Sequence, residues 1–344
     1  MNLTLHKQFP LELKDEWNRL LAETETHVPF LRFEYLELWW QTRGGGEWPQ
    51  AELAIVTAES DGRLVAAAPL FYTAEGRGAP SLMLVGSVEI SDYLDILAAP
   101  DALEPFLKLL LPFLKDTGVS PDSLPPWQRL DLFNLLDSSP TLKALEAAAQ
   151  ADGWTTQVEQ LQHSPYIPLP GDWDTYLSSV DKKQRHEIRR KMRRVREMEL
   201  PVDWYLVQDA SKLEEEVNDF MALMRMDADK AAFLTPPMEE HMQHTARCAM
   251  DAGCLHLAFM TVDGKKAAGY FCFDYLNRIW VYNSGIDWEN YSAYSPGWVL
   301  LGYMLQWANE NQREAFDFMR GDEDYKYRFG AVDRFVMRAI IERN

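Results

Sequence analysis

Cysteine is scarce: Cys248, Cys254 and Cys272 are three among 344 residues, with no C-x-x-C pair. That odd count excludes a disulfide framework and a cysteine-based zinc site, and it fits a reducing compartment. His241, His244 and Cys248 fall near one helical face but have no fourth ligand in sight, so no metal is expected. Long apolar runs are missing as well. The longest, around Phe106 to Leu114, is interrupted by Lys108 and Pro112 and is too short to cross a bilayer. The first residues, M-N-L-T-L-H-K-Q-F-P, carry no signal-peptide segment, and the protein is expected in the cytoplasm with no transmembrane segment. Positive charge is short too: 34 Lys and Arg face 53 Asp and Glu, a formal net charge of -19. Duplex DNA is therefore excluded as a partner, because it needs a broad cationic surface.

Against this background one stretch stands out, read as a single helix from Trp173 to about Leu200. Between Lys182 and Arg196 it holds nine cations, Arg189, Arg190, Arg193 and Arg194 among them, against one acid, Glu187. Ile188, Met192 and Val195 form an apolar stripe at helical spacing, which leaves the remaining surface cationic. Guanidinium forks suit phosphate or carboxylate, so the helix reads as one wall of an anion-binding groove. Its length and 47% hydrophobic content give the chain material for two cores.

Element order points to a repeat. The first half runs through two helices, a hairpin turning at Asp61-Gly62, strands at Ser81–Val85 and Tyr93–Leu97, a Leu-rich helix and a strand near Arg129. A linker containing Pro121, Pro125 and Pro126 precedes that last strand. In the second half a hairpin turning at Asp263-Gly264 is followed by a strand at Arg278–Ser284, an aromatic loop, a helix from Trp298 and a strand at Ala315–Met319. Two copies of one α/β (α+β) fold are expected, 1–165 and 166–344.

The runs S-P-Y-I-P-L-P-G-D-W-D-T-Y-L, A-F-M-T-V-D-G-K-K-A-A-G-Y-F, Y-N-S-G-I-D…Y-S-P-G and F-D-F-M-R-G-D-E-D-Y-K resemble BioF2-like and CelD-like acyltransferases. In the first half, D-G-R-L-V-A-A-A-P-L-F and V-G-S-V-E-I-S-D-Y-L-D carry the same likeness. These proteins belong to the GNAT superfamily and are related to the FemABX aminoacyltransferases. The resemblance implies two tandem GNAT folds, each a mixed, splayed sheet flanked by helices. It also implies transfer of an acyl or aminoacyl group to an amine or hydroxyl, often on a cell-envelope precursor, in a cleft between the two folds.

Candidate residues follow from what such a transfer needs: donor phosphates held, the acceptor oriented, its proton removed, and the oxyanion stabilised. Arg189, Arg190 and Arg193 are expected on the donor, with Ser295 capping the next helix and Gly297 and Trp298 in its first turn. One glycine there, where acetyl-CoA-binding GNATs have Q/R-x-x-G-x-G/A, leaves acyl-CoA and aminoacyl-tRNA both open as donors. Asp322 is the expected base, with Arg320 or Lys326 tuning it or holding an acceptor carboxylate and Tyr325 at the leaving group. His186 is a second base, and Asp92, Tyr93, Tyr282 and Asn283 are expected near the acceptor. A non-catalytic scaffold is the remaining alternative.

Overall fold

The computed structural model describes residues 1–76, 78–115 and 124–342. It divides into two compact units, Met1–Gln162 with Phe335–Asn344, and His163–Arg334. The final strand, Phe335–Glu342, was expected in the second domain, but it pairs antiparallel with Arg129–Leu136 and so completes a sheet of the first unit. The Arg338 guanidinium forks onto the fully buried Asp131 carboxylate at 2.7 Å on both oxygens, tying that strand in by a desolvated ion pair. Pro121 of the expected linker lies outside the described residues.

Both hairpins turn where the sequence places them. Asp61 and Gly62, then Asp263 and Gly264, have positive φ throughout, the geometry of a two-residue turn that matches strand twist. In the first unit the returning strand breaks at Pro69 into Arg63–Ala68 and Leu70–Thr73, which lie in separate sheets. Proline has no N–H to give to a ladder, which accounts for the break. The second unit's counterpart, Lys265–Tyr275, runs unbroken and sits inside one six-stranded sheet. The strand expected at Tyr93–Leu97 is reduced to Leu97–Ala98.

The long basic helix is two helices, Trp173–Ser179 and Lys182–Arg196. Val180 is extended, and the Asp181 side chain accepts from the N–H groups of Lys183 and Gln184, starting a new helix. Ile188, Met192 and Val195 are buried as the stripe requires. Gly302 lets this helix approach Pro296–Glu310 closely, since a Cβ there would lie 2.9 Å from the Met192 sulfur.

Candidate active site

The sheet of the second unit opens at one point, and the cavities gather there. Strand Arg278–Ile286 runs parallel to Ala315–Asp317 for only three rungs, Arg278 to Trp280 against Ala315 to Asp317. Beyond Trp280 its outer edge has no ladder partner among the described residues. On its other side the register slips at Tyr282, an extra residue between Val281 opposite Cys272 and Asn283 opposite Phe271. Such a bulge re-aims the residues after it, here Ser284 and Ile286, toward the opening.

A cavity of about 170 Å³ fills that opening, lined by Tyr270, Ser284, Ile286, Gly297, Leu301, Tyr325 and Phe329, with Lys191 and Trp298 at its wall. Gly297 lets its helix approach the strand closely at this cavity, because a Cβ would meet Ile286 Cδ1 at 2.3 Å. Burial pushes the Tyr270 and Tyr325 hydroxyls well above their ordinary pKa, so both remain protonated donors. The Tyr270 hydroxyl reaches the Gly297 carbonyl at 3.4 Å.

A larger basin of about 550 Å³ shares Lys191 and Trp298 with that cavity. Lys183, Arg190, Lys191 and Arg328 bring four cations to it, Glu187 and Asp324 two carboxylates, and His186 an imidazole ring. Arg190 is engaged by Glu187 through two bonds of 2.7 Å, and Arg328 pairs with Asp324. Lys191 lies 4.4 Å above the Trp298 ring, and burial, with Arg190 and Arg328 adding, lowers its pKa while Glu187 opposes the shift. The Trp298 Nε1–H is buried without a partner. A cation and an orphan donor therefore mark the boundary between the two spaces.

Several expected site residues take other places. Arg189 pairs with Asp174 at 3.1 Å and, like Arg193, lines neither space. Both sit on the other flank of the apolar stripe, whereas Lys183, Glu187, Arg190 and Lys191 share the flank turned to the basin. Ser295 makes no side-chain cap; it takes a left-handed conformation at φ 49°, and Pro296 opens the helix. Lys326 is almost fully buried and donates to Arg320 O at 2.9 Å, Gly321 O at 3.0 Å and Glu323 Oε2 at 2.8 Å. Its three donors are thus consumed in holding the loop, and none remains for an acceptor carboxylate. Asp322 is exposed and lines neither space, and Arg320 lines neither.

Tyr282 packs on Phe271 and Phe273 at 5.4 and 5.6 Å, while Asn283 accepts from the Ser284 N–H at 2.9 Å. Tyr93, in the first unit, is fully buried, which removes it from contact with an acceptor, and Asp92 beside it is half-buried. His186 and Tyr325 do reach the two spaces, as do Arg190, Gly297 and Trp298. Residues the sequence did not single out are Lys183, Lys191, Ser284 and Arg328. Lys191 stands one position from the stripe residue Met192, as Arg193 does on the other side, so the sequence does not separate the two. Among the described residues no cluster of His, Cys, Asp and Glu could hold a metal, and His241 instead hydrogen-bonds Thr245 at 3.2 Å.

A search of curated proteins gives no match to the chain. Among solved structures, FemX matches with a TM-score of 0.69 at 11% identity, over 98% of this chain and 97% of that one. A conserved protein of unknown function from Bacteroides thetaiotaomicron matches at 0.61 and 12% identity, over 99% and 100%. The C-terminal domain of a putative lysylphosphatidylglycerol synthetase from Agrobacterium fabrum matches at 0.55 and 10%, over 96% and 91%. Identities this low establish a shared fold alone. No helix among the described residues is long and apolar enough to cross a membrane. Residues 182–327 match the family model of the acetyltransferase (GNAT) domain, a span that takes in most of the splayed sheet and nearly all the residues lining both cavities, and the chain as a whole has the fold of FemX.

Proposed function

We propose that this protein is an acyltransferase that takes a short acyl group from acyl-CoA and passes it to an amine or hydroxyl acceptor. One observation carries the reading: a cationic basin and a small apolar cavity share Lys191 and Trp298. A carrier with phosphates at one end and a small reactive group at the other needs that pairing. The inner cavity, about 170 Å³, lies below the ~300–1,000 Å³ typical of drug-sized sites, which favours a short acyl chain.

In this reading Lys183, His186, Arg190, Lys191 and Arg328 hold the phosphates, with the first-turn N–H groups of helix Pro296–Glu310 beside them. The acceptor's lone pair attacks the thioester carbonyl carbon, the carbon–sulfur bond breaks with its electron pair on sulfur, and the proton lost by the acceptor leaves on that sulfur as the CoA thiol. The protonated Tyr325 hydroxyl donates a hydrogen bond to the departing sulfur. No carboxylate lines the inner cavity, and an aminoacyl group would bring its ammonium against Lys191, whose neighbouring carboxylate, Glu187 at 3.7 Å, is already engaged by Arg190. That favours acyl-CoA over an aminoacyl-tRNA donor, the alternative that the fold of FemX keeps in view. The resemblance to BioF2-like proteins favours a cell-envelope precursor as acceptor, and the three free cysteines suit the cytoplasm.

Calorimetry of the full chain with acetyl-CoA and with free CoA tests the donor. Saturable binding of both, lost in Lys191→Glu, is expected. Absence of binding to any CoA ester overturns the reading and returns aminoacyl-tRNA or a non-catalytic role to the front.

A further inference from the structure

Behind the acyl cavity lies a half-buried cation that the reaction as described does not use. Lys230, on the short helix Ala228–Phe233, reaches across to strand Arg278–Ile286 and donates to Ser284 twice, to its carbonyl oxygen and, at 3.2 Å, to its hydroxyl. Its pKa is lowered, chiefly by burial, with Asp227 and Glu323 opposing the shift from farther away. Among the described residues, the ammonium's hydrogen-bonding oxygens are both on Ser284.

The hydrogen-bond accounting at Ser284 has one open position. A lysine ammonium only donates, so the Ser284 hydroxyl oxygen must accept from it. The hydroxyl proton must then go elsewhere, and no described residue accepts it. Ser284 lines the apolar cavity, just past the bulge and on the unpaired edge of the splayed strand. A hydroxyl already accepting from a cation is polarised into a stronger donor, and in a cavity of low dielectric that effect is enlarged. Among the described residues the positive charge behind it has no ion-pair partner, so negative charge developing in front is attracted.

We infer that Ser284 supplies the oxyanion donor for acyl transfer, its hydroxyl aimed at the acyl carbonyl oxygen and polarised by Lys230 as a positioning residue. This role rests on the acyl-donor reading above. As the acceptor attacks, the carbonyl π electrons move onto oxygen and the Ser284 O–H bond stabilises them. They return when the carbon–sulfur bond breaks, and Ser284 keeps its proton throughout.

Infrared difference spectroscopy of the full chain with carbonyl-13C acetyl-CoA tests the pair without needing the acceptor. The bound carbonyl stretch is expected at lower frequency than in solution. Ser284→Ala should abolish that displacement, Lys230→Met should reduce it, and Lys230→Arg should restore part of it, while acetyl-CoA affinity moves less than about 3-fold. In turnover, Ser284→Ala should lower kcat about 100-fold, as for loss of a single oxyanion donor, with KM nearly unchanged. If Ser284→Ala misfolds, the Lys230→Met and Lys230→Arg pair decides alone. Acetyl-CoA that binds with the same carbonyl stretch in wild type and in the Ser284 and Lys230 variants overturns the pair and leaves the donor reading standing. An acetyl group found on Ser284 by intact mass also overturns it, since the serine would then be a nucleophile. Absence of saturable acetyl-CoA binding overturns both.

Discussion

The two units open their sheets in the same way and then use the opening differently. In the first, Ser81 to Met83 run parallel to Arg129 to Asp131 for three rungs; in the second, Arg278 to Trp280 do so against Ala315 to Asp317. After the third rung the first unit closes on its own chain. Asn134, fully buried with φ 64°, sends its Nδ2 to Val88 O at 2.8 Å and Ser91 O at 2.7 Å, and its backbone carbonyl accepts from the Leu94 N–H at 2.8 Å. Trp48 adds a bond to Ser87 O at 2.7 Å. In the second unit the strand bulges instead, and Gly297 and Ser284 line a cavity. One architecture therefore yields a stitched core in one copy and an open cavity in the other, the difference lying in a few residues past the third rung.

Acid should separate the two units most strongly. In the second, burial lowers the pKa of His241 and of His256 to about 4, with His244 adding at the first and Asp274 and Arg313 opposing one another at the second. Their folded pKa values lie below the unfolded 6.5, so the unfolded chain takes up protons first. Stability is complete above pH 6.5 and falls as pH drops toward 4, by about 3 kcal/mol for each ring at pH 4. In the first unit burial raises the pKa of Asp95 despite the bond from the Ser139 hydroxyl at 2.6 Å, so acidification through its range favours the folded state. Hydrogen exchange, corrected for intrinsic rates, should show the second unit opening first between pH 6.5 and 4.5. Equal loss of protection in both units would contradict this.

Making one splay resemble the other gives the next two tests. Ile286→Trp fills the open cavity, and binding of acetyl-CoA should weaken at least 100-fold while the melting temperature stays within a few degrees. Asn134→Ala unpicks the closed one: two buried carbonyls lose their donor, and alanine must hold a positive φ. A loss of about 3 kcal/mol in unfolding free energy is expected, with acetyl-CoA affinity unchanged. Asn134→Gly, which tolerates that φ, should lose about 1 kcal/mol less.

What the sequence disclosed follows the range of the interactions involved. The two Asp-Gly turns are local, and both stand where the sequence puts them. The break at Val180 and Asp181 had a local signal that the charge run masked, an aspartate three residues before Gln184 in the pattern of a capping box. Lys326 reads as a reactive cation in R-G-D-E-D-Y-K, yet its burial and three loop acceptors are facts of tertiary structure. Lys230 and Ser284 stand 54 positions apart and have nothing in their neighbours to link them. The pairing of Phe335–Glu342 with a strand some two hundred residues earlier is equally invisible to periodicity.

The basic helix lies between these extremes and supplies the smallest effect. Its apolar stripe correctly predicts which line of residues is buried, but both flanks are cationic, and only packing against Pro296–Glu310 decides which one meets the basin. Lys191 and Arg193 therefore look alike in sequence and differ in place. Lys191→Gln should weaken acetyl-CoA binding about 10-fold, since it removes a partly desolvated contact to phosphate worth about 1.4 kcal/mol. Arg193→Gln, on the solvent-facing flank, should change affinity less than about 2-fold, an effect that vanishes in 0.5 M salt as expected of a screened charge. Equal losses from the two substitutions would mean that the donor lies along the outer arginines, and the inner cavity would then need a different occupant.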